Sequence, residues 1–209
     1  GESMFFKDQT DLVEYLLRKR IILHCEESYY FNESQYLMPQ SLGFEDVAIL
    51  QNKNICKSRL DVDISSEIIK GIVRSIPIIA SNMYSVVNSD FIIKLYRLGA
   101  LGILHRAAPE KILIEEVRKI SKNCDITAVS IGVGNNQYEL AKSLIENGAN
   151  VITIDIAHGY SDTVIELGKK IKNDFPFVKL ILGNTHNVNM IYEVADFCDA
   201  LKVGLSNGF

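Results

Sequence analysis

The residues best suited to chemistry in this chain stand in one run, Val151-Ile-Thr-Ile-Asp155-Ile-Ala-His158-Gly159-Tyr160-Ser161. Val151 to Ile154 are all β-branched and read as a short buried strand. Asp155 closes that strand, Ala157-His158-Gly159 turn the chain, and a helix is predicted over about 162–173. A carboxylate at the carboxyl end of a buried parallel strand is where α/β proteins place ligand chemistry. There it can accept a hydrogen bond from a ribose hydroxyl or an amide. A competing reading makes Asp155 only the cap of the helix that follows.

The same strand-then-polar-loop pattern recurs along the chain. Strands are predicted over 76–80, 101–104, 127–131, 151–154, 179–182 and 200–203. Helices fall between them over 90–97, 109–121, 138–146, 162–173 and 188–197. Pro77 fits near the start of its strand, Pro109 near the start of its helix, and Gly99 closes the helix before it. The residues after the strands are Ser81-Asn82-Met83, His105-Arg106, Gly132-Val-Gly134, Asp155 to Gly159, Gly183-Asn184, and Gly204-Leu-Ser206-Asn-Gly208. This set offers one cation, one carboxylate, amides and glycines. Arg106 suits a phosphate or a stacked base. His105 and His158 each suit a base or a hydrogen-bonded loop anchor. No carboxylate pair suggests glycoside chemistry, and no metal-binding HExxH appears.

Alternating strands and helices at roughly 25-residue spacing imply a parallel sheet with helices outside it. No GxGxxG follows the first strand, and polar residues end every strand. Both features favour a (β/α)8 TIM barrel over an open doubly wound sheet, with about six βα units present. Six strands of an eight-stranded barrel leave two open edges, which is costly. Upstream, residues 4–20 read as an amphipathic helix, 21–24 and 44–50 as short strands, and 25–40 as a polar, tyrosine-bearing arm. Two regions are therefore expected: an N-terminal helix and arm over 1–40, and a partial barrel over 41–209.

Composition narrows the class. The 209 residues are 47% hydrophobic and 23% charged, ordinary for a globular chain with a substantial core. A net charge of −4 gives no electrostatic reason to expect nucleic acid or an anionic membrane. No apolar run approaches the roughly 18–20 residues of a membrane span. Gly1-Glu2-Ser3-Met4 carry no signal-peptide pattern. Cys25, Cys56, Cys124 and Cys198 are scattered without a CxxC, as expected of reduced cytoplasmic thiols.

Several short segments together resemble the IMP dehydrogenase/GMP reductase family. They are Phe44-Glu-Asp-Val, Lys57-Ser58-Arg59-Leu-Asp-Val-Asp63, Ile76-Pro-Ile-Ile-Ala-Ser-Asn82-Met83, Leu104-His105-Arg106, Asp155-Ile-Ala-His158-Gly159-Tyr-Ser161, Gly183-Asn184 and Lys202-Val203-Gly204. They occur in family order and at family spacing. Lys57-Ser58-Arg59 resembles a GMP reductase segment that reaches the NADPH of a neighbouring subunit. The short link from helix 109–121 to strand 127–131 leaves no room for CBS modules, which also favours the reductase branch.

The resemblance implies a (β/α)8 barrel, a homotetramer, a purine nucleotide substrate and a nicotinamide cofactor, NADPH or NAD. A loop cysteine would form a covalent intermediate at C2 of the purine. By position, Ser58 and Arg59 would touch the adenine end of the cofactor. Arg106, Asp155, Ile156, Ala157 and Asn184 would hold the rest of it, with Asp155-Ile156-Ala157 at the nicotinamide ribose. Ser81 and Met83 would lie against the nucleotide. Backbone at Ser206 and Gly208 would begin a monovalent-cation site, suited to K+.

The chain also departs from the family pattern. Lys-Val-Gly continues as Leu205-Ser206-Asn207-Gly208-Phe209, where the family has a Gly-Pro-Gly-Ser loop ending in the catalytic cysteine. The usual Asp after Asn-Met is Tyr84. These 209 residues alone are thus expected to be inactive. The leading expectation is part of a GMP reductase-like enzyme. The alternatives are a CBS-less IMP dehydrogenase (IMP, NAD+ and water to XMP) and a non-catalytic nucleotide-binding relative.

Overall fold

The computed structural model describes residues 21–23, 47–50, 53 and 55–204. The chain forms two compact units, residues 1–62 and 63–209. The predicted helix over 4–20, the arm over 25–40 and the region boundary near residue 40 lie outside the described residues.

In the first unit, β1 (Ile21–Leu23) pairs antiparallel with β2 (Val47–Ile49), Ile22 opposite Ala48. Both short strands match the sequence reading. A single 3-10 turn follows at Arg59–Asp61. Ser58 caps it: its Oγ accepts from Leu60 N at 3.2 Å, and its own N–H donates to Asp61 Oδ2 at 3.1 Å. This reciprocal pairing satisfies donors that a helix start otherwise leaves open.

The second unit begins with a hairpin that the sequence reading missed, β3 (Ser66–Ile69) and β4 (Ile72–Arg74). Gly71, at φ +81°, makes its turn. The hairpin precedes the barrel strands β5 (Ile79–Ala80), β6 (Leu101–Leu104), β7 (Ala128–Ile131), β8 (Val151–Asp155), β9 (Lys179–Thr185) and β10 (Ala200–Val203). Between them run helices α1 (Ser89–Arg97), α2 (Glu110–Ser121), α3 (Gln137–Glu146), α4 (Asp162–Asp174) and α5 (Asn189–Val194). The six strands are all parallel and lie in sequence order from β5 at one edge to β10 at the other. This is the α/β architecture of a partial (β/α)8 barrel.

The alternation of side chains along each strand sorts residues into two cores. Ile152, Ile154, Leu180 and Leu182 face the helices and pack with Leu113, Val117, Leu144, Val164 and Ile171. Leu101, Ile103, Ala128, Val151 and Ile181 face the barrel interior, and Ile69 of the hairpin packs among them. Thr153 and Asp155 share the interior parity of Val151. Asp155 therefore arrives inside the barrel's mouth because it follows Val151 and Thr153 at two-residue spacing along the strand.

Two differences from the sequence reading have local causes. Gly183-Asn184-Thr185, expected as loop, continue β9, because Gly183 and Asn184 bond to the backbone beyond β8. In turn, β5 is only two residues long, since Ile76 to Ile78 bond to Gly99, Leu101 and one another rather than extending the sheet.

The amino end of the barrel is braced by a buried carboxylate. Asp199 Oδ2 accepts from Lys172 Nζ at 2.8 Å and from Leu180 N at 2.9 Å, and its Oδ1 accepts from Lys179 Nζ at 3.2 Å. Burial by itself would raise the Asp199 pKa, but the Lys172 contact, the Leu180 amide and Lys179 outweigh it and hold the group below its ordinary value. The carboxylate's stabilisation is therefore complete above the unfolded-state pKa of roughly 4 and fades as the pH falls below it. Asp199→Ala should lose about 2–3 kcal/mol at pH 7 in urea unfolding. The stability gap between wild type and variant should narrow as the pH falls below roughly 4; parallel curves would contradict the brace.

Candidate functional site

Three side chains meet at the carboxyl ends of the strands. Lys202, inside β10, donates from Nζ to Asp155 Oδ2 at 2.9 Å and to Asn82 Oδ1 at 2.8 Å. Asn82, just beyond β5, donates from Nδ2 to the same Asp155 oxygen. The three bonds close a ring that joins β5, β8 and β10. Lys202 and Asp155 are mostly shielded, with side chains 27% and 17% exposed. Asp155 Oδ1 takes no partner among the described residues. Asp155 thus does not cap α4, whose N-cap is Ser161, and the capping alternative is excluded.

The backbone beside this ring is held just as closely. Ile156 N donates to Gly183 O at 3.0 Å, Asn184 N to Ile156 O at 2.7 Å, and Gly159 N to Asn184 O at 2.8 Å. Asn184 Nδ2 donates to Gly204 O at 2.9 Å. This weave requires glycine at 159: a Cβ there would lie 2.4 Å from the Gly183 carbonyl carbon. Gly183 is equally confined, with Lys202 Cβ 2.5 Å from where its own Cβ would stand.

Above the ring opens a cleft of about 500 Å³, lined by Asn82, Met83, Tyr84, Arg106, Ala107, Asp155, Ile156 and Ala157. That volume lies within the usual range for small-molecule sites. Arg106 is exposed, its guanidinium lies over Gly132, and it has no carboxylate partner among the described residues. Of the residues expected at the site, the cleft brings together Met83, Arg106, Asp155, Ile156 and Ala157. Ser81 lines a smaller interior cavity of about 120 Å³, beside Asn82 and Lys202. Asn184 spends its amide on Gly204 and does not line the cleft. Ser58 and Arg59 are exposed and belong to the first unit. Ser206 and Gly208 lie outside the described residues.

The two histidines divide. His158 is exposed and lies outside the cleft lining. His105 is buried at 7% exposure, and its Nδ1 accepts from Ala107 N at 3.2 Å. Burial pushes the His105 pKa down, against a smaller upward pull from Glu116. The imidazole is neutral at pH 7 and carries its proton on Nε2. Of its two sequence-level roles, this geometry matches the loop anchor.

Sequence reasoning did not single out Lys202. Its signal was present in Ala200-Leu-Lys202-Val203, since a lysine within an otherwise apolar interior strand needs a carboxylate nearby. Cys198 lies just before β10. Its Sγ donates to Ala200 O at 2.9 Å, and burial raises its pKa.

Parallel strands that gather a lysine-held carboxylate and an arginine without a carboxylate partner among the described residues define a partial (β/α)8 barrel, with this cleft on the face where such barrels carry their chemistry. The chain belongs to the IMP dehydrogenase/GMP reductase family, whose domain matches residues 41–209. GMP reductase of Oenococcus oeni is 34% identical over 168 residues, which are 79% of this chain and 51% of that protein. GMP reductase of Streptococcus gordonii is 32% identical over 170 residues, 81% of this chain and 51% of that one. GMP reductase of Lactobacillus gasseri is 31% identical over 178 residues, 84% of this chain and 53% of that one. The chain spans about half the length of the curated relatives it matches.

Two measurements test this geometry. Gly159→Ala should cost at least about 1–3 kcal/mol in urea unfolding, because backbone cannot yield as a side chain can. The lowered His105 pKa means that its neutral ring stabilises the fold fully above roughly pH 6.5 and progressively less below it. Melting temperature should fall between pH 6.5 and pH 5, and His105→Asn should flatten that slope.

Proposed function

We propose that this chain forms the first part of the barrel of a GMP reductase-like oxidoreductase. The net reaction would be GMP + NADPH + 2 H+ → IMP + NH4+ + NADP+. The observation that carries this reading is the Asp155 carboxylate, fixed through Oδ2 by Lys202 and Asn82 with Oδ1 unpartnered beside the cleft.

The residues present fit a nicotinamide nucleotide. Asp155 offers an acceptor for ribose hydroxyls, and the lysine keeps that carboxylate oriented. Ile156 and Ala157 offer an apolar backbone edge, and Arg106 offers an unpaired cation for a phosphate or a ring. When bound, the reduced nicotinamide supplies a hydride. Met83 and Ser81 would contact the purine nucleotide. Ser58 and Arg59 would reach the adenine end of a neighbouring subunit's cofactor in a cytoplasmic homotetramer. The covalent Cys–purine intermediate requires a thiol in the loop after β10, and residues 205–209 contain none. The nucleophile would therefore come from chain beyond these residues.

The test has two arms. The longest natural form of the protein should oxidise NADPH when GMP is added and release IMP and ammonia. Reduction of NAD+ with IMP would instead identify the dehydrogenase branch, and nucleotide binding without turnover would identify a non-catalytic relative. In the 209-residue chain, Asp155→Asn should weaken NADPH binding by about tenfold or more, the loss expected when a hydrogen bond to a charged group is removed. Unchanged binding would remove the central support for this reading.

A further inference from the structure

Tyr84 stands where the family pattern carries an aspartate, and its surroundings give the exchange a purpose. It lines the cleft between Met83 and the Arg106–Ala107 loop, yet it remains 71% exposed. A lone exposed tyrosine is ordinary, but this ring is not free to drift. Its ring meets the buried His105 imidazole in a T-shaped contact, with centroids 5.0 Å apart and planes at 65°. His105 is itself fixed by the Ala107 amide on Nδ1. An aromatic ring anchored by that contact yet 71% exposed, in a cleft that also contains a carboxylate and a guanidinium with no carboxylate partner among the described residues, is preorganised to stack.

We propose that Tyr84 is a stacking platform for the heteroaromatic ring of the nucleotide that enters this cleft, and so helps set which nucleotide is accepted. The geometry divides the ligand among three groups. Asp155 takes the ribose hydroxyls, Tyr84 takes the flat ring, and Arg106 takes phosphate charge. An aspartate at position 84 could supply no such face. The inference rests on the oxidoreductase reading for the identity of the nucleotide, a purine monophosphate or a nicotinamide dinucleotide. The stacking chemistry is common to both.

The experiment titrates the 209-residue chain separately with GMP and with NADPH, for wild type, Tyr84→Ala, Tyr84→Leu, Tyr84→Phe and Asp155→Asn. Tyr84→Ala should weaken the stacked ligand by about tenfold, and Tyr84→Leu, which keeps bulk without an aromatic face, should do nearly the same. Tyr84→Phe should restore affinity to within about twofold. The ligand that loses affinity identifies the stacked ring. With nine tyrosines and no tryptophan in the chain, tyrosine emission supplies a second readout. Ligand-induced quenching should shrink in Tyr84→Phe although affinity is kept, which a purely structural role would not produce. Binding that Asp155→Asn weakens but Tyr84→Ala and Tyr84→Leu leave intact overturns this inference alone. Failure of the wild-type chain to bind either nucleotide overturns it together with the oxidoreductase reading.

Discussion

The second unit depends on one charged contact, Lys202 with Asp155, extended by Asn82. β5 and β10 are the two edges of the six-stranded sheet, and they share no ladder. Yet Lys202 on β10 bonds to Asn82 just past β5, across the barrel interior and 120 residues of sequence. Asp155, on a central strand, accepts from both. The edges of a partly closed sheet are thereby tied at the mouth by side chains where strand pairing is absent. With both charges largely out of water, losing either partner should be felt strongly, by about 2–3 kcal/mol.

The rest of the unit is arranged so that this contact can exist. Mostly apolar residues on both faces of β7, β8 and β9 pack the lower barrel, and Ile69 of the hairpin packs among the interior ones. The second ionic cluster, around Asp199, lies where α4, β9 and the start of β10 converge, so the strands are fixed by charge at both ends. Gly159 and Gly183 allow the backbone after β8 to lie directly against β9. That close approach sets the direction in which Asp155 leaves its strand. The site is thus a product of packing below and backbone weaving beside it, rather than of a flexible loop.

Much of this was legible in the sequence, and unevenly so. The short, mostly apolar runs at 101–104, 151–154 and 200–203 marked their strands within a residue, because buried parallel strands read as near-continuous hydrophobic segments. That Asp155 and Arg106 line one cleft was legible from their places after strands. The hairpin at 66–74 was not, because its apolar residues are few and its short strands resemble loop. The continuation of β9 through Gly183-Asn184-Thr185 was hidden as well, since glycine and asparagine usually signal a turn. The partners of Lys202 and Tyr84 needed three dimensions. Each acquires its role from a residue far away in sequence, Asp155 in one case and His105 in the other.

If the lysine-held carboxylate is the working part of the site, Lys202→Met should reveal it. Methionine preserves the length and apolar stem of lysine while removing the charge. Titrated with NADPH beside wild type, the variant should bind about tenfold or more weakly while its far-UV circular dichroism still shows the α/β fold. Wild-type affinity in Lys202→Met would contradict the claim, since the carboxylate would then be held, or the ligand recognised, by something other than this ring of three side chains.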